Sequence, residues 1–254
     1  GVASSAMRLA ALCVLLAACS SSKSNDSEGA PPPGSTAVAV APGRSADRHT
    51  RLLVNSHQPW DGPVAWYEAH LRSDEGWNAY GGLFPGSPVV LHGFNPDLGW
   101  AHTVNRPDLV DVYALETAPA DPLAYRFDGT WRRLERRFVT IRVGVLGRLR
   151  WPVRREALWS VHGPVVRGPR GAFALRVAGL GDVRPLEQWY RMNRARDREQ
   201  WLSALAQGGI PMFNCVYATA RGQVGYVYNA RLPLRAPGFD WRGTLPGDSP
   251  EALW

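Results

Sequence analysis

Short apolar runs separated by turn residues fill the chain from Thr36 onward, and this pattern limits the fold more than any other feature of the sequence. Runs of this kind, bounded by Gly, Pro, Asn and Asp, are typical of β-strands. The chain should therefore be built mainly from strands. We predict them within residues 37–41, 51–55, 64–71, 89–92, 113–116, 138–145, 172–177, 215–218 and 224–228, the last two forming a hairpin.

One helical region interrupts the strands, roughly over residues 186–205. Asp197 is predicted to cap its second part, because Gln200 occupies the capping-box position, and Gly208 with Gly209 should end it. A strand-rich chain with a single helical excursion predicts an α+β layered architecture.

The net charge of +7 raises the question of an anionic partner. Arginines supply nearly all of the positive charge and are spread along the chain, most densely between Arg132 and Arg155. There they are interleaved with apolar residues, which predicts a half-buried strand pair with an arginine-bearing solvent face. No nucleic-acid-binding motif accompanies them, so we predict no nucleic-acid partner.

Residues 1–34 differ from the rest and are predicted to be separate from a domain over residues 35–254. An apolar run over residues 9–18 ends at Cys19, and a polar, serine-rich tract follows, which predicts a linker. The run is shorter than the roughly 20 residues that a membrane-spanning helix needs, and it suits a secretion signal. The four residues ending at Cys19 resemble a bacterial lipoprotein cleavage box, which would attach a lipidated Cys19 to a membrane. The alternative is the end of a preceding region followed by a spacer.

Gly34 and Ser35 stand between this tract and the first apolar run, a position where Gly-Ser alone is typical of a turn. Ordered motifs follow it: Arg44-Ser45-Ala46-Asp47, Asn55-Ser56-His57-Gln58-Pro59, Gly82-Leu83-Phe84-Pro85-Gly86, His92-Gly93-Phe94-Asn95, Gly99-Trp100-Ala101-His102-Thr103-Val104-Asn105, Asp108-Leu109-Val110-Asp111, His162-Gly163-Pro164-Val165, Asn214-Cys215-Val216-Tyr217-Ala218 and Leu232-Pro233-Leu234-Arg235. Over residues 35–254 this succession resembles the β-subunit of the penicillin acylase and acyl-homoserine-lactone acylase family of N-terminal-nucleophile hydrolases. The resemblance implies part of a four-layer αββα sandwich.

The resemblance also implies an activity. A precursor in this family cuts itself before a serine, which here corresponds to Ser35 and to the Gly34–Ser35 bond. A serine hydroxyl needs a base to become a good nucleophile, and a free α-amine, with a pKa of about 8, can be that base. We therefore expect a periplasmic or secreted amidohydrolase that forms an acyl-enzyme on Ser35. Its small-molecule substrate would be an N-acyl homoserine lactone, an acylated β-lactam or a lipopeptide.

Two further residues take roles from the resemblance. His57 matches a residue that orients the nucleophile and its amine, and the Val104 backbone N–H matches one donor of the oxyanion hole. Thr36 departs from the asparagine usual after the nucleophile, which bears on self-cleavage. The second oxyanion donor of the family is an asparagine beyond the Pro233 region, and an α-subunit from the same precursor forms much of the acyl pocket. The chain alone is therefore expected to be inactive.

Catalysis of this kind needs no cofactor, but a structural metal is a separate expectation. Asp108, Val110, Asp111 and Pro233 resemble the calcium ligands of some penicillin acylases, and oxygen ligands suit calcium. The alternative is that the two aspartates hold a loop through hydrogen bonds.

A rival function belongs to another class of protein. With Cys19 lipidated and the Gly34–Ser35 bond intact, the strands would form the binding module of a non-catalytic surface lipoprotein. A new N-terminus at Ser35 distinguishes the enzyme from this alternative.

Overall fold

The computed structural model describes residues 34–254. Cys19, its lipoprotein-like motif and the predicted linker lie outside the described residues. The described part divides into two compact units, one comprising residues 34–107 and 181–231, the other residues 108–180 and 232–254. Within it, no helix is long and apolar enough to cross a membrane.

The elements follow one another along the chain, and short 3-10 turns occur at Pro42–Arg44 and Pro250–Ala252. They are β1 (Ser35–Val40), β2 (Arg51–Ser56), β3 (Tyr67–Arg72), β4 (Asn78–Leu83), β5 (His92–Phe94), β6 (Leu98–Thr103), β7 (Val110–Leu115), β8 (Thr117–Ala118), β9 (Asp121–Phe127), β10 (Thr130–Arg133), β11 (Glu135–Leu146), β12 (Leu149–Trp159), β13 (Pro164–Gly168), β14 (Gly171–Val177), α1 (Pro185–Arg194), α2 (Arg198–Leu205), β15 (Met212–Thr219), β16 (Val224–Ala230) and β17 (Thr244–Pro246).

The first unit has three layers. Its central sheet is antiparallel, in the order β16-β15-β6-β5-β4-β3, and the β1–β2 hairpin packs against β6 and β15. Gly99 of β6 faces this hairpin, since a Cβ there would lie 3.0 Å from Leu52 Cδ2. Its neighbours Leu98 and Trp100 lie in the core that α1 and α2 cover. Because successive side chains of a strand point to opposite faces, the helices and the hairpin cover opposite faces of the sheet.

The predicted α+β architecture is confirmed in this layering. The predicted hairpin over residues 215–218 and 224–228 is also correct, as β15 pairs with β16. The predicted cap of α2 is present, since Asp197 Oδ1 accepts a hydrogen bond from the Gln200 backbone N–H at 2.7 Å.

The strand predicted over residues 89–92 is wrong except at His92, because residues 89–91 lie in a loop before β5. The buried side chain of Asn193, on α1, takes the place of a neighbouring strand. Its Oδ1 accepts from the Val90 N–H at 2.9 Å, and its Nδ2 donates to the Val90 carbonyl at 2.8 Å. Both backbone groups of a buried residue such as Val90 can thus be hydrogen-bonded without joining a sheet.

The second unit is built on a six-stranded sheet in the order β11-β12-β13-β14-β7-β17 and a three-stranded sheet in the order β10-β9-β8. The strands of both sheets pair antiparallel except for β17, which runs parallel to β7. Tyr113 of β7 is fully buried, and its hydroxyl donates to the Ala252 carbonyl at 2.7 Å. This bond ties the end of the described chain to β7, the strand next to the β17 edge of the six-stranded sheet.

The half-burial predicted between Arg132 and Arg155 is wrong for most of the β11–β12 hairpin. β12 pairs with β13 only at Leu158 and Trp159, so the hairpin projects beyond the sheet. Apolar side chains on the projecting part are consequently exposed, by 50% at Ile141 and 63% at Trp151.

Candidate active site

Ser35 and His57 lie at the same end of the β1–β2 hairpin. Ser35 is the first residue of β1, is half-buried, and stands opposite Ser56, the last residue of β2. Opposite residues in an antiparallel pair have Cα atoms about 4.5–5.5 Å apart. The Gln58 N–H then donates to the Ser56 carbonyl at 3.0 Å, which forms a tight turn centred on the exposed His57.

The other end of the hairpin fixes its direction across the central sheet. A Cβ on Gly222, in the turn between β15 and β16, would lie 3.0 Å from Pro42 Cγ. Leu52 likewise lies over Gly99, near the start of β6. The turn of the hairpin therefore covers the end of the sheet where β6 begins. Its open end, with Ser35, is directed towards the end where β6 stops and Val104 follows.

Val104 is held by the side chain of Asn214, on the neighbouring strand β15. Asn214 Nδ2 donates to Thr103 Oγ1 at 3.0 Å and to the Val104 carbonyl at 3.4 Å. The Tyr226 hydroxyl donates in turn to Asn214 Oδ1 at 2.7 Å. The Val104 side chain itself is 41% exposed, so this residue lies at the surface of the unit while its backbone is restrained.

Asn105, the residue after Val104, is fixed by its own side chain. Its buried side chain accepts from the Phe213 N–H at 2.9 Å and donates to the Asn229 carbonyl at 2.9 Å. Phe213 and Asn229 stand opposite each other in β15 and β16, so one side-chain amide bridges a strand pair. Phe213 has a φ of 136°, a conformation that non-glycine residues rarely adopt.

Two histidines, His92 of β5 and His102 of β6, lie in neighbouring strands near this end of the sheet. The His102 backbone N–H donates to His92 Nδ1 at 3.3 Å, and the rings are 5.7 Å apart. Burial lowers the pKa of His92 to about 4. Burial, and then the neighbouring His92, lower the pKa of His102 well below its usual range. Both rings are therefore neutral at pH 7 and add no charge close to Val104.

The residues expected to bind calcium lie in the second unit, where Arg235 occupies the space between the aspartates. Arg235 Nη1 donates to Asp108 Oδ2 at 2.8 Å, and Arg235 Nε and Nη2 donate to the two oxygens of Asp111. Trp254 Nε1 also donates to Asp111, at 2.6 Å. These carboxylates already accept from a cation, so the arrangement does not fit a calcium ion as it stands. Val110, the first residue of β7, and Pro233, two residues before Arg235, lie beside this cluster in the chain.

Comparison with known proteins shows the family of the chain. The sequence model of the penicillin amidase family matches residues 4–254. The chain belongs to the penicillin amidase family. The acyl-homoserine lactone acylase PvdQ of Pseudomonas fluorescens (strain Pf0-1) is 35% identical to it over 210 residues, which are 79% of this chain and 27% of that protein. Aculeacin-A acylase of Actinoplanes utahensis is 29% identical over 208 residues, which are 79% of this chain and 26% of that protein.

A solved structure supports the same penicillin amidase assignment. The thermostable penicillin G acylase from Alcaligenes faecalis superimposes with a TM-score of 0.73 at 27% identity, covering 85% of this chain and 38% of that chain. The family resemblance and the fold predicted from the sequence are thereby confirmed. The chain spans about a quarter of the length of the curated relatives that it matches.

Sequence reasoning missed three residues that the structure brings to prominence, two in the first unit and one in the second. Asn105 and Asn214 were placed in motifs without a role, and Arg235 was not connected with the aspartates. The two asparagines did carry a signal, because a buried amide beside an apolar strand needs partners and restrains whatever supplies them. No local sequence pattern predicts the ion pairs of Arg235, because its acidic partners precede it by more than 120 residues.

Proposed function

We propose that this chain carries the nucleophile of an amidohydrolase that cleaves a linear amide through an acyl-enzyme on Ser35. The observation that carries the proposal is the position of Ser35 at the start of β1, beside His57 and directed towards Val104. In a penicillin amidase family member, this arrangement supplies a nucleophile, an orienting imidazole and a backbone N–H at one end of a sheet.

The chemistry begins with cleavage of the Gly34–Ser35 bond, which frees the α-amine of Ser35. The amine takes the proton of the Ser35 hydroxyl, directly or through a water, as Oγ attacks the amide carbonyl. The Val104 N–H stabilises the developing oxyanion, and one such donor is typically worth about 10²–10³ in rate. The proton passes to the leaving amine as the C–N bond breaks. Water, deprotonated by the same amine, then hydrolyses the ester on Ser35.

The substrate class we propose is an amide of a hydrophobic acyl chain, with N-acyl homoserine lactones as the first candidates. The names of two relatives, acyl-homoserine lactone acylase PvdQ and aculeacin-A acylase, support an acylase. We further propose a periplasmic or secreted enzyme that works with an α-subunit from its own precursor. Because the resemblance assigns the second oxyanion donor to an asparagine beyond Trp254, residues 1–254 alone should have little activity.

Mass analysis of the full-length gene product tests this proposal. We expect a chain that begins at Ser35 and hydrolyses a chromogenic N-acyl amide. Ser35→Ala should stay uncut and inactive, while Ser45→Ala, a matched serine in the loop after β1, should be cut and active. A Ser35→Ala protein that is cut at the same bond and remains active would refute the assignment. An uncut, inactive wild type would favour the surface lipoprotein, in which Cys19 carries the lipid.

A further inference from the structure

The residue proposed as oxyanion donor, Val104, lies between two side-chain amides that each reach another strand. Asn214 bonds to the Thr103 hydroxyl and the Val104 carbonyl from one side, at 3.0 and 3.4 Å. Asn105 follows Val104 directly and is only 6% exposed. The peptide before Val104 and the peptide after it are therefore each flanked by a residue whose side chain is hydrogen-bonded to a neighbouring strand.

The tether through Asn105 is attached to a strained position. The Phe213 N–H that donates to Asn105 Oδ1 belongs to a residue with a φ of 136°. A non-glycine residue in this region costs on the order of 1–3 kcal/mol and persists only where its surroundings impose it. Here the buried amide of Asn105 and the packing of the Phe213 ring 5.9 Å from that of His102 both hold it. Such strain concentrates at functional sites more often than elsewhere.

The tether through Asn214 is itself oriented by a third residue. An amide side chain has two possible orientations, and the Tyr226 hydroxyl, which donates to Oδ1 at 2.7 Å, accounts for the one that presents Nδ2 to Val104. Asn214 also stands opposite Thr103 in the β15–β6 ladder. The Asn214 side chain therefore contacts both its ladder partner, Thr103, and the next residue, Val104, which follows the end of β6.

We propose that Asn105 and Asn214 are positioning residues that fix the direction of the Val104 N–H, which rests on the proposed function of Ser35. A donor accelerates acyl transfer only if it is already aimed at the position that the oxyanion will occupy. Misplacement of a reacting group by about 1 Å can cost about 10²-fold in rate. The two amides act on the transition state through Val104 and leave binding of the acyl chain unaffected.

The test uses the full-length processed enzyme, with its new N-terminus at Ser35 verified by mass. Asn214→Ala removes one tether. Asn105→Ser shortens the other, and its hydroxyl keeps a polar group at this buried position, which should perturb folding less than alanine would. Asn229→Ala is the matched control, because it deletes only a side-chain amide bonded to the Ile210 carbonyl at 2.9 Å and keeps the backbone carbonyl that accepts from Asn105.

We expect Asn214→Ala and Asn105→Ser to lower kcat by about 10- to 100-fold with KM changed less than about threefold. Binding of an alkylboronic acid, whose tetrahedral adduct on Ser35 mimics the oxyanion, should weaken by the same factor. Both asparagine variants should bind the free fatty acid product as the wild type does. The kcat and KM of Asn229→Ala should stay close to those of the wild type.

Two results would overturn the inference while leaving the proposed function intact. One is a wild-type kcat in both processed asparagine variants, with boronic acid affinity unchanged. The other is a uniform loss in which Asn229→Ala falls as far as they do, which would indicate general destabilisation. A wild type that is active without a free Ser35 would overturn the proposed function and this inference together.

Discussion

The Arg235 guanidinium is paired with both carboxylate oxygens of Asp111, through Nε at 3.0 Å and Nη2 at 3.1 Å. The Asp111 side chain is completely buried, and that of Arg235 is 17% exposed. The pair joins β7 to the segment that follows β16 in the chain. A buried carboxylate of this kind depends on its partner, because water cannot replace the lost cation.

Arg235→Met should therefore lower the free energy of unfolding by about 3 kcal/mol or more, because Asp111 is left charged and buried. Urea unfolding followed by tryptophan fluorescence measures the loss. Arg242→Met is the matched control, since its pair with Asp240 is solvent-exposed at both side chains and should matter little. Equal stability of the two variants would contradict the role given to Arg235.

Chelation with EDTA should leave the melting temperature of the protein unchanged, because Arg235 already bonds to both Asp108 and Asp111 and occupies the space between them. A metal that bound only the folded state would add stability that chelation removes. Differential scanning calorimetry with and without EDTA makes the comparison. Calcium found in dialysed, active enzyme by elemental analysis, together with a lower melting temperature after chelation, would restore the calcium site implied by the family resemblance.

His57→Ala should reduce the acylation rate by about 10- to 1,000-fold, less than the about 10²–10⁴-fold that a general acid or base typically contributes, because the role assigned to His57 is to orient the nucleophile. Single-turnover kinetics on the processed variant measure the step directly. His49→Ala provides the control, because His49 is an exposed histidine in the loop at the other end of the same hairpin. If the two variants acylate at the same rate, His57 has no part in the reaction.

Acidification should destabilise the protein through His92 and His102. Because the folded-state pKa of His92 is about 4, below its usual 6.5, the unfolded chain takes up the proton first as the pH falls. Stability is therefore complete above about pH 7 and declines towards pH 4, by about 2 kcal/mol from His92 alone at pH 5. Urea unfolding at pH 7 and pH 5 checks this.

The variant His92→Gln retains an acceptor for the His102 N–H without a titrating ring, and it should lessen the loss between pH 7 and pH 5. His70→Gln, at an exposed histidine on β3, should retain the wild-type pH dependence. A His92→Gln protein with the full wild-type loss would show that another group is responsible.

Residues 34–254 expressed alone should bind a hydrophobic dye, partly through the outer face of the β1–β2 hairpin. Val38 and Leu53 are partners in the ladder and are 47% and 57% exposed. Replacing both with threonine should lower dye fluorescence without loss of stability, whereas Leu52→Thr, which faces Gly99, should destabilise the sheet. Dye fluorescence unaffected by the double substitution would place the exposed apolar surface elsewhere.

The strands were the predictable part of this fold, since alternation and turn residues are local signals. The Asp197 cap of α2 was predictable for the same reason, because its partner Gln200 is three residues away. The loop at Val90 was not, because its hydrogen bonds come from Asn193, about 100 residues later. The exposure of Trp151 was equally hidden, since alternation predicts two faces but not that a hairpin extends past its sheet.

The candidate site divides in the same way. Ser35, His57 and Val104 were found through ordered motifs, and their roles stay predictions until processing and kinetics are measured. Asn105 and Asn214 act across strands, on Phe213 and on Val104, so their contacts depend on register that no single segment encodes.

The pairing of Ser35 with Ser56 has a consequence for the cut proposed at Gly34–Ser35. Ser35 is the first residue of the β1 ladder, and Gly34 stands outside it. A cut between Gly34 and Ser35 therefore falls at the boundary of the hairpin and removes no residue pair from the β1–β2 ladder. The new chain end would already be anchored by a strand, so the proposed cut requires no refolding of the β1–β2 hairpin.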